Sequence, residues 1–206
     1  MTLPLPLRNR LAELILESLH ETKARSVLSA LVRLCAGSEA AAVPPEVAAG
    51  FPAAVRGEFR PFRNELCERT RRAWKIVRDR PLARPEPALG EVLDQAADLF
   101  DVRLFFEVHE LLEPYWIRAD GAAREALQGL IQIAVGFQHL VNSNVEGAQM
   151  LLEEGSSKAQ GKRLEGRDLA TFASAVRRAL DAVVGLGAAA PRAFDWAQMP
   201  RFPRGD

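Results

Sequence analysis

The chain has 206 residues, of which 48% are hydrophobic, and it is therefore long enough to bury the core of one or two domains. Its 27 basic and 27 acidic residues balance, which excludes a global electrostatic attraction to nucleic acid or to an anionic membrane. Helix-forming alanine, leucine, arginine and glutamate dominate, whereas the chain contains a single tyrosine. This composition predicts an all-α fold.

The first ten residues, MTLPLPLRNR, contain no apolar run of the length that a signal peptide or a membrane span requires. We therefore expect a cytoplasmic protein with no membrane partner. The two cysteines, Cys35 and Cys67, lack the spacing of metal ligands and lie among apolar neighbours in the sequence. This pattern is typical of unpaired core cysteines in a reducing compartment.

Positive and negative charges are unevenly distributed along the chain. Residues 53–80 contain nine basic and four acidic side chains, whereas residues 81–206 contain thirteen basic and eighteen acidic ones. The two segments should attract each other within the fold or between chains, so the sequence is compatible with a homodimer. The basic segment lacks the interleaved aromatic side chains of single-strand binders, and we do not expect a nucleic-acid partner.

Apolar residues at three- and four-residue steps predict three helices in the first part of the chain. We place them at residues 8–20, at residues 23–35 and, starting at residue 58 or 61, up to residue 78. Gly37 ends the second helix, and the Ala/Pro-rich segment GSEAAAVPPEVAAGFP follows as a loose linker. Three prolines in RPLARPEPALG, residues 80–90, then break the chain and predict a domain boundary.

Five more helices are predicted after this boundary. They lie at residues 90–100, 104–116, 124–141, 145–154 and 168–184, and Asp168 is expected to cap the last of them. Between the fourth and the fifth, residues 155–166 are polar and glycine-rich and predict a mobile loop.

The predicted architecture is a helical bundle with hairpin-like helix pairs and an N-terminal helical extension. A polar turn followed by an amphipathic helix occurs twice, in LFDVRLFFEVHELLE and LVNSNVEGAQMLLEE, and two copies are too few for a solenoid. The C-terminal tail is expected to lie extended across the bundle, because its aromatic residues need cover and its prolines interrupt a helix. The expected organisation is an N-terminal helical region at 1–79, a Pro-rich linker at 80–90, a bundle domain at 91–186 and the tail at 187–206.

The stretch FFEVHELLEPYW, residues 105–116, places three glutamates and a histidine among large apolar side chains. On a helical wheel His109 lies at the edge of the apolar arc, and Glu113 follows four residues later, so these two side chains can touch. Glu110 and Glu107 continue round the other side of the helix. Glu107 points nearly opposite to His109 and is expected to be an ordinary surface glutamate.

The next predicted helix contains EALQGLIQIAVGFQHL and is apolar nearly all round, as a buried central helix would be. Its polar exceptions, Gln128, Gln132 and His139, fall on one stripe of the helical wheel. Because buried polar groups need hydrogen-bond partners, we expect this stripe to pair with the histidine and glutamates of FFEVHELLEPYW. Gly129 and Gly136 flank the stripe and should let a neighbouring helix approach closely.

Several motifs in this region occur together: F-E-x-H-E-x-x-E-x-x-W at residues 106–116, L-Q-G-L-I-Q at residues 127–132, then His139 and a downstream G-A-x-x-L-L-E. In this order and separation they resemble the bacterial and archaeal domain of unknown function numbered 309, a small all-helical bundle. The resemblance covers residues 91–154 and implies a fold but no activity. Pro114 departs from the commoner L-E-x-x-W form; because proline lacks an N–H, it predicts a kink or the end of the helix.

The predicted function is that of a binding or scaffold module, which holds a protein or peptide partner in a polar pocket between the two central bundle helices. No nucleophile accompanies the polar residues, so no catalytic residue is assigned and metal-free acid–base catalysis is not favoured. The same residues would also serve as a buried network that fixes helix register without any chemistry. The residues assigned to this pocket or network are Glu107, His109, Glu110, Glu113, Trp116, Gln128, Gln132 and His139.

The alternative function is that of a metal-dependent hydrolase. His109, Glu110, Glu113 and His139 offer nitrogen and carboxylate ligands that suit zinc, manganese or iron, so a divalent metal ion is the cofactor that the sequence suggests. Such an ion would activate water for hydrolysis. The spacing differs from the His-Glu-x-x-His of metalloproteases, because Glu113 stands in place of the second histidine.

Overall fold

The structure is a computed structural model that describes residues 2–37 and 42–205. The described residues are predominantly helical, and the prediction of an all-α helical bundle is confirmed. The chain divides into two compact units, the first ending at Glu86 and the second beginning at Pro87. Residues 38–41, which belong to the predicted Ala/Pro-rich linker, lie outside the described part of the chain.

The first unit is built around α2, which packs against α1, α3 and α5. Its core consists of the apolar stripes that the three- and four-residue spacing predicted, with Leu11, Leu28 and Leu66 all fully buried. One short helix lies within the predicted linker, and a second short helix and a 3₁₀ turn at Arg60–Phe62 follow it. The helices are α1 at Leu5–Glu17, α2 at Thr22–Ala36, α3 at Pro45–Gly50, α4 at Ala53–Arg56 and α5 at Arg63–Val77.

A disulfide bond joins Cys35, near the end of α2, to Cys67, in the second turn of α5. The prediction of unpaired core cysteines is therefore wrong. The two residues are 32 apart in sequence, and only the packing of α2 on α5 brings their Cα atoms to 5.4 Å, a distance that a disulfide can span. The cytoplasmic location, for which unpaired cysteines were one argument, stays a prediction without that support.

The first part of the proline-rich segment is held against the turn between α1 and α2. Arg25 donates hydrogen bonds to the carbonyls of Ser18 and Arg80, and the Ala83 N–H donates to the carbonyl of Leu19. These bonds belong to the first unit, so residues 80–83 close that unit rather than forming a free linker.

The second unit is a succession of antiparallel helices around the long helix α8, which packs against both α7 and α9. A small antiparallel hairpin, with Arg163 opposite Asp168 and Leu164 opposite Arg167, connects α9 to α10. The elements are α6 at Leu89–Asp101, α7 at Phe105–Arg118, α8 at Gly121–Val141, α9 at Val145–Ala159, β1 at Arg163–Leu164, β2 at Arg167–Asp168, α10 at Ala170–Leu186 and α11 at Ala190–Ala193.

Helix α9 continues to Ala159, so the prediction of a mobile loop over residues 155–166 is wrong for residues 155–159. Gly155 lies inside this helix because α9 needs a glycine where it crosses α8. A Cβ on Gly155 would lie 2.8 Å from the Gly129 carbonyl oxygen. Asp168 does contribute to the start of α10, since its Oδ1 accepts a hydrogen bond from the Ala170 N–H, although the helix begins at Ala170, one residue later than a cap at Asp168 predicts.

The C-terminal tail contains short helical turns instead of a wholly extended chain, including α11 and a 3₁₀ turn at Trp196–Gln198. Proline at the second position of α11 is compatible with a helix, because the first N–H groups of a helix have no internal partner. Phe202 is buried against Phe100 and Phe172, and Phe194 packs on Phe137. The tail thereby completes the aromatic core of the second unit.

The close approach predicted from Gly129 and Gly136 is confirmed, and the neighbouring helix is α9. A Cβ on Gly129 would lie 2.9 Å from the Gly155 carbonyl oxygen and 3.0 Å from the Ala159 nitrogen. A Cβ on Gly136 would lie 2.9 Å from the side chain of Leu152. At Gly129 the obstructing atoms are backbone, so no side-chain rotation could relieve the clash.

Asn144 caps the start of α9. Its Oδ1 accepts a hydrogen bond from the Gly147 N–H at 3.0 Å, and its Nδ2 donates to His139 Nδ1 at 2.8 Å. One amide therefore satisfies an otherwise unpaired N–H of the first helical turn and ties the end of α8 to the start of α9.

We expect Gly129→Ala to lower the free energy of unfolding of the second unit by about 1–3 kcal/mol, because α8 and α9 must separate to admit the methyl group. Chemical denaturation of wild type and variant measures this loss. The matched control is Gly185→Ala in α10, where a Cβ meets nothing within 4 Å. There the substitution should be neutral or stabilising by up to about 1 kcal/mol. Equal effects of the two substitutions would contradict the close approach.

We also expect Asn144→Ala to reduce the free energy of unfolding by about 1 kcal/mol, since the cap of α9 is lost. Thermal or denaturant unfolding monitored by circular dichroism measures the change. Asn142→Ala serves as the control, because Asn142 is exposed and only accepts a hydrogen bond from the Gln138 side chain. An equal loss of unfolding free energy in the control would contradict a specific contribution from the cap of α9.

Candidate functional site

Helix α7 carries the polar residues singled out by the sequence. It packs against α6 and α8, and these neighbours bury Phe105, Glu107, Val108, Leu111 and Leu112. The remaining surface of α7 stays partly open to solvent and presents His109, Glu110 and Glu113.

These three residues form a compact group, here called the α7 cluster. His109 Nδ1 lies 2.9 Å from Glu110 Oε1, and His109 Nε2 lies 4.0 Å from Glu113 Oε1. One ligand atom from each residue can be chosen so that all three atoms lie within 4.8 Å of one another. The side chains are 28%, 37% and 42% exposed, so the cluster is accessible to a small solute.

The hydrogen bond with Glu110 has a consequence for the chemistry of His109. A carboxylate accepts, so Nδ1 carries the proton of this bond, and in the neutral imidazole Nε2 keeps its lone pair beside the Glu113 carboxylate. An imidazole held by a carboxylate on one nitrogen and free to coordinate through the other is the usual arrangement of histidine ligands in metal sites. The cluster is therefore suited to binding a cation.

Pro114 lies inside α7, and the helix continues past it to Arg118. The sequence predicted either a kink or the end of the helix at this position. The second of these outcomes is wrong, because the helix does not end near Glu113. Pro114 has no N–H to donate to the carbonyl of Glu110, so this oxygen lacks its regular helical donor in the same turn that carries the cluster.

Gln132 and His139 make their hydrogen bonds toward α9. Gln132 Nε2 donates to Glu154 Oε2 at 2.7 Å, and His139 accepts from Asn144 as described above. The expectation that these two side chains pair with the cluster residues of α7 is thus wrong. Among the residues that the structure describes, His139 does not join the cluster as a fourth potential ligand. Gln128 is half-buried on the same stripe of α8.

Glu107 is fully buried, and the interpretation as a surface glutamate is wrong. The wheel assigned one buried face to this helix, whereas α7 is covered by α6 as well as by α8, so its buried arc is wider than the apolar stripe.

Trp116 is half-buried and stacks under Arg124, whose guanidinium carbon lies 4.6 Å from the ring centroid. Arg124 Nη1 also donates to the carbonyls of Trp116, Ile117 and Ala119 at the end of α7. This arginine caps α7, a role that sequence reasoning missed. The signal that could have found it is a cation placed shortly after the end of a helix, where carbonyls lack partners.

Part of the second unit is similar to a known protein family. Residues 93–151 match the model of the family described as "Domain of unknown function (DUF309)". No curated protein and no solved structure gave a match. Within the described ranges, no helix combines the length and apolarity that crossing a membrane requires. The match includes the whole of α7 and α8, and it supports the resemblance to this family that the sequence suggested.

Proposed function

We propose that the second unit is a binding module and that its ligand-binding surface is the α7 cluster, which takes a divalent transition-metal ion. The observation that carries this proposal is the placement of the His109 imidazole between two carboxylates on a partly exposed helix surface. A neutral imidazole and two carboxylates supply the nitrogen and oxygen donors that zinc, manganese and iron accept in proteins.

The distances of the cluster need only a small adjustment to hold an ion. In a tetrahedral zinc site with bonds of about 2.0–2.1 Å, two ligand atoms lie about 3.3 Å apart. His109 Nε2 and Glu113 Oε1 are 4.0 Å apart, and a small rotation of the partly exposed Glu113 side chain would bring its Oε1 to an ion bound at Nε2. Glu110 would either keep its hydrogen bond to Nδ1 or rotate to become a third ligand.

An ion held in this way would retain open coordination positions, because the cluster provides at most three protein ligands. A carboxylate or an imidazole of a peptide or protein partner could occupy such a position. This supports a module that binds its partner through the ion.

A metal-dependent hydrolase is the second candidate, and the same cluster favours it. A water molecule on a divalent ion loses its proton more readily and attacks esters or phosphoesters at neutral pH. Whichever carboxylate does not coordinate would be placed to accept that proton. Hydrolysis also requires groups that position a substrate, whereas the cluster supplies only metal ligands and a base. The binding module is therefore the preferred function.

The proposal predicts that the purified, untagged protein retains zinc, manganese or iron at near-stoichiometric levels after dialysis. Elemental analysis by mass spectrometry measures the bound metal. His109→Ala and Glu113→Gln should each lose it, because each removes a ligand. The matched control is His139→Ala, which removes the other histidine of this unit and should retain the ion. Circular dichroism verifies that all variants remain folded.

Absence of metal from the wild-type protein, even after incubation with excess zinc or manganese, would contradict the proposed site. Equal loss of metal in the His139→Ala variant would contradict the assignment of the ligands. Assays of the metal-loaded protein with a chromogenic ester and a phosphodiester separate the two candidates: turnover that disappears in His109→Ala supports the hydrolase, and stoichiometric metal without turnover supports the binding module.

A further inference from the structure

The disulfide of the first unit lies at the wall of a surface hollow. This hollow has a volume of about 370 Å³. Cys35 and Cys67 are 7% and 3% exposed, so the sulfurs are largely buried but border open space. The lining residues are Cys35, Gly37, Arg63, Asn64, Cys67, Glu68 and Arg71.

Two guanidinium groups gather at this hollow. Arg63 Nη2 donates to the carbonyls of Leu34 at 3.0 Å and Gly37 at 2.8 Å, and Arg71 Nη2 reaches the Cys35 carbonyl at 3.4 Å. These bonds use a minority of the five N–H groups that each arginine carries. Arg71 is exposed, so part of its guanidinium remains available to a solute.

Among the lining residues that the structure describes, Glu68 is the one carboxylate, and it does not cancel this positive charge. Glu68 forms an ion pair with Arg72, one turn further along α5. The described lining of the space beside the disulfide is therefore electropositive, with two arginines against one carboxylate that already has a cationic partner. Cations next to a cysteine stabilise its thiolate and so favour both its departure from a disulfide and its reactivity.

We propose that Cys35–Cys67 is a redox-active disulfide that exchanges with an anionic low-molecular-weight thiol bound in this hollow. The arginines hold the carboxylates of the incoming thiol and stabilise the cysteine thiolate that leaves. The proposal concerns the first unit alone and does not depend on the metal site of the second.

The exchange proceeds in two balanced steps. The thiolate of the small molecule forms a bond to the Sγ of one cysteine, the Cys35–Cys67 bond breaks, and its electron pair stays on the other Sγ as a thiolate. A second small-molecule thiolate then attacks the mixed disulfide, releases the first cysteine as a thiolate and leaves as the small-molecule disulfide. The two protein thiolates take up the protons that the two attacking thiols lost, so the protein is reduced and the small thiol is oxidised.

The test compares three thiols that differ in charge: glutathione, which is anionic, 2-mercaptoethanol, which is neutral, and cysteamine, which is cationic. Second-order rate constants for reduction of the full-length protein are divided by those for a small unstructured disulfide, which removes the intrinsic reactivity of each thiol. Intact-mass spectrometry identifies the mixed disulfide.

We expect the normalised glutathione-to-cysteamine ratio to exceed unity severalfold, since one unit charge a few ångströms away in water changes a rate by roughly fourfold.

Arg71→Gln should bring this ratio toward unity, because the exposed guanidinium of the hollow is removed while the helix remains intact. The control is Arg78→Gln, which removes the same charge seven residues further along the chain, just past the end of α5, at an exposed arginine bonded to Asp79. Its ratio should equal that of the wild type.

Three results would overturn the proposal. The first is the same charge preference in wild type and Arg71→Gln. The second is a reduction rate that does not depend on thiol concentration, which would mean that the sulfurs react only after unfolding. The third is recovery of two free thiols from protein purified in air and denatured without reductant.

Discussion

The second unit depends on the crossing of α8 and α9, where backbone meets backbone. Gly129 on one helix and Gly155 on the other remove the side chains that would hold the helix axes apart, and each glycine lies against the other's carbonyl oxygen. Close packing of this kind is sensitive to a single methyl group, because a protein interior has no spare volume. The glycine of α9 is thus a packing residue, although in sequence it has the appearance of a helix terminator.

This crossing determines what the polar residues of the unit do. With α9 fixed against α8, the stripe of α8 that carries Gln132 and His139 lies within reach of Glu154 and of the Asn144 cap. Gln132 Nε2 and His139 Nδ1 thus form hydrogen bonds that hold the two helices together. The cluster on α7 is left with its own three side chains, and its carboxylates remain partly exposed instead of being consumed by a buried network. The packing of α9 on α8 thus gives Gln132 and His139 a structural role and leaves the α7 cluster partly exposed.

In the first unit a disulfide bond holds two helices together, whereas in the second unit close packing at glycines does so. The disulfide joins the end of α2 to α5, and Arg63 and Arg71 bind the last carbonyls of α2 beside it. A cross-link stabilises a small unit mainly by restricting its unfolded chain, so its oxidation state sets how strongly α2 and α5 are held together. Arg63 and Arg71, two arginines of the basic segment, therefore place positive charge beside the disulfide.

The sequence by itself determined the helical class, the positions of α6, α7 and α8 to within a few residues, the resemblance to DUF309 and the neighbourhood of His109 with Glu113. These properties are local: apolar spacing follows the 3.6-residue period, and residues four apart on a helix meet whatever surrounds them. Only the tertiary structure decided that Cys35 pairs with Cys67, that Gly155 continues a helix, that Glu107 is buried and that Gln132 and His139 face α9. A helical wheel gives the direction in which a side chain points, but the neighbour that lies in that direction is fixed by how the helices pack.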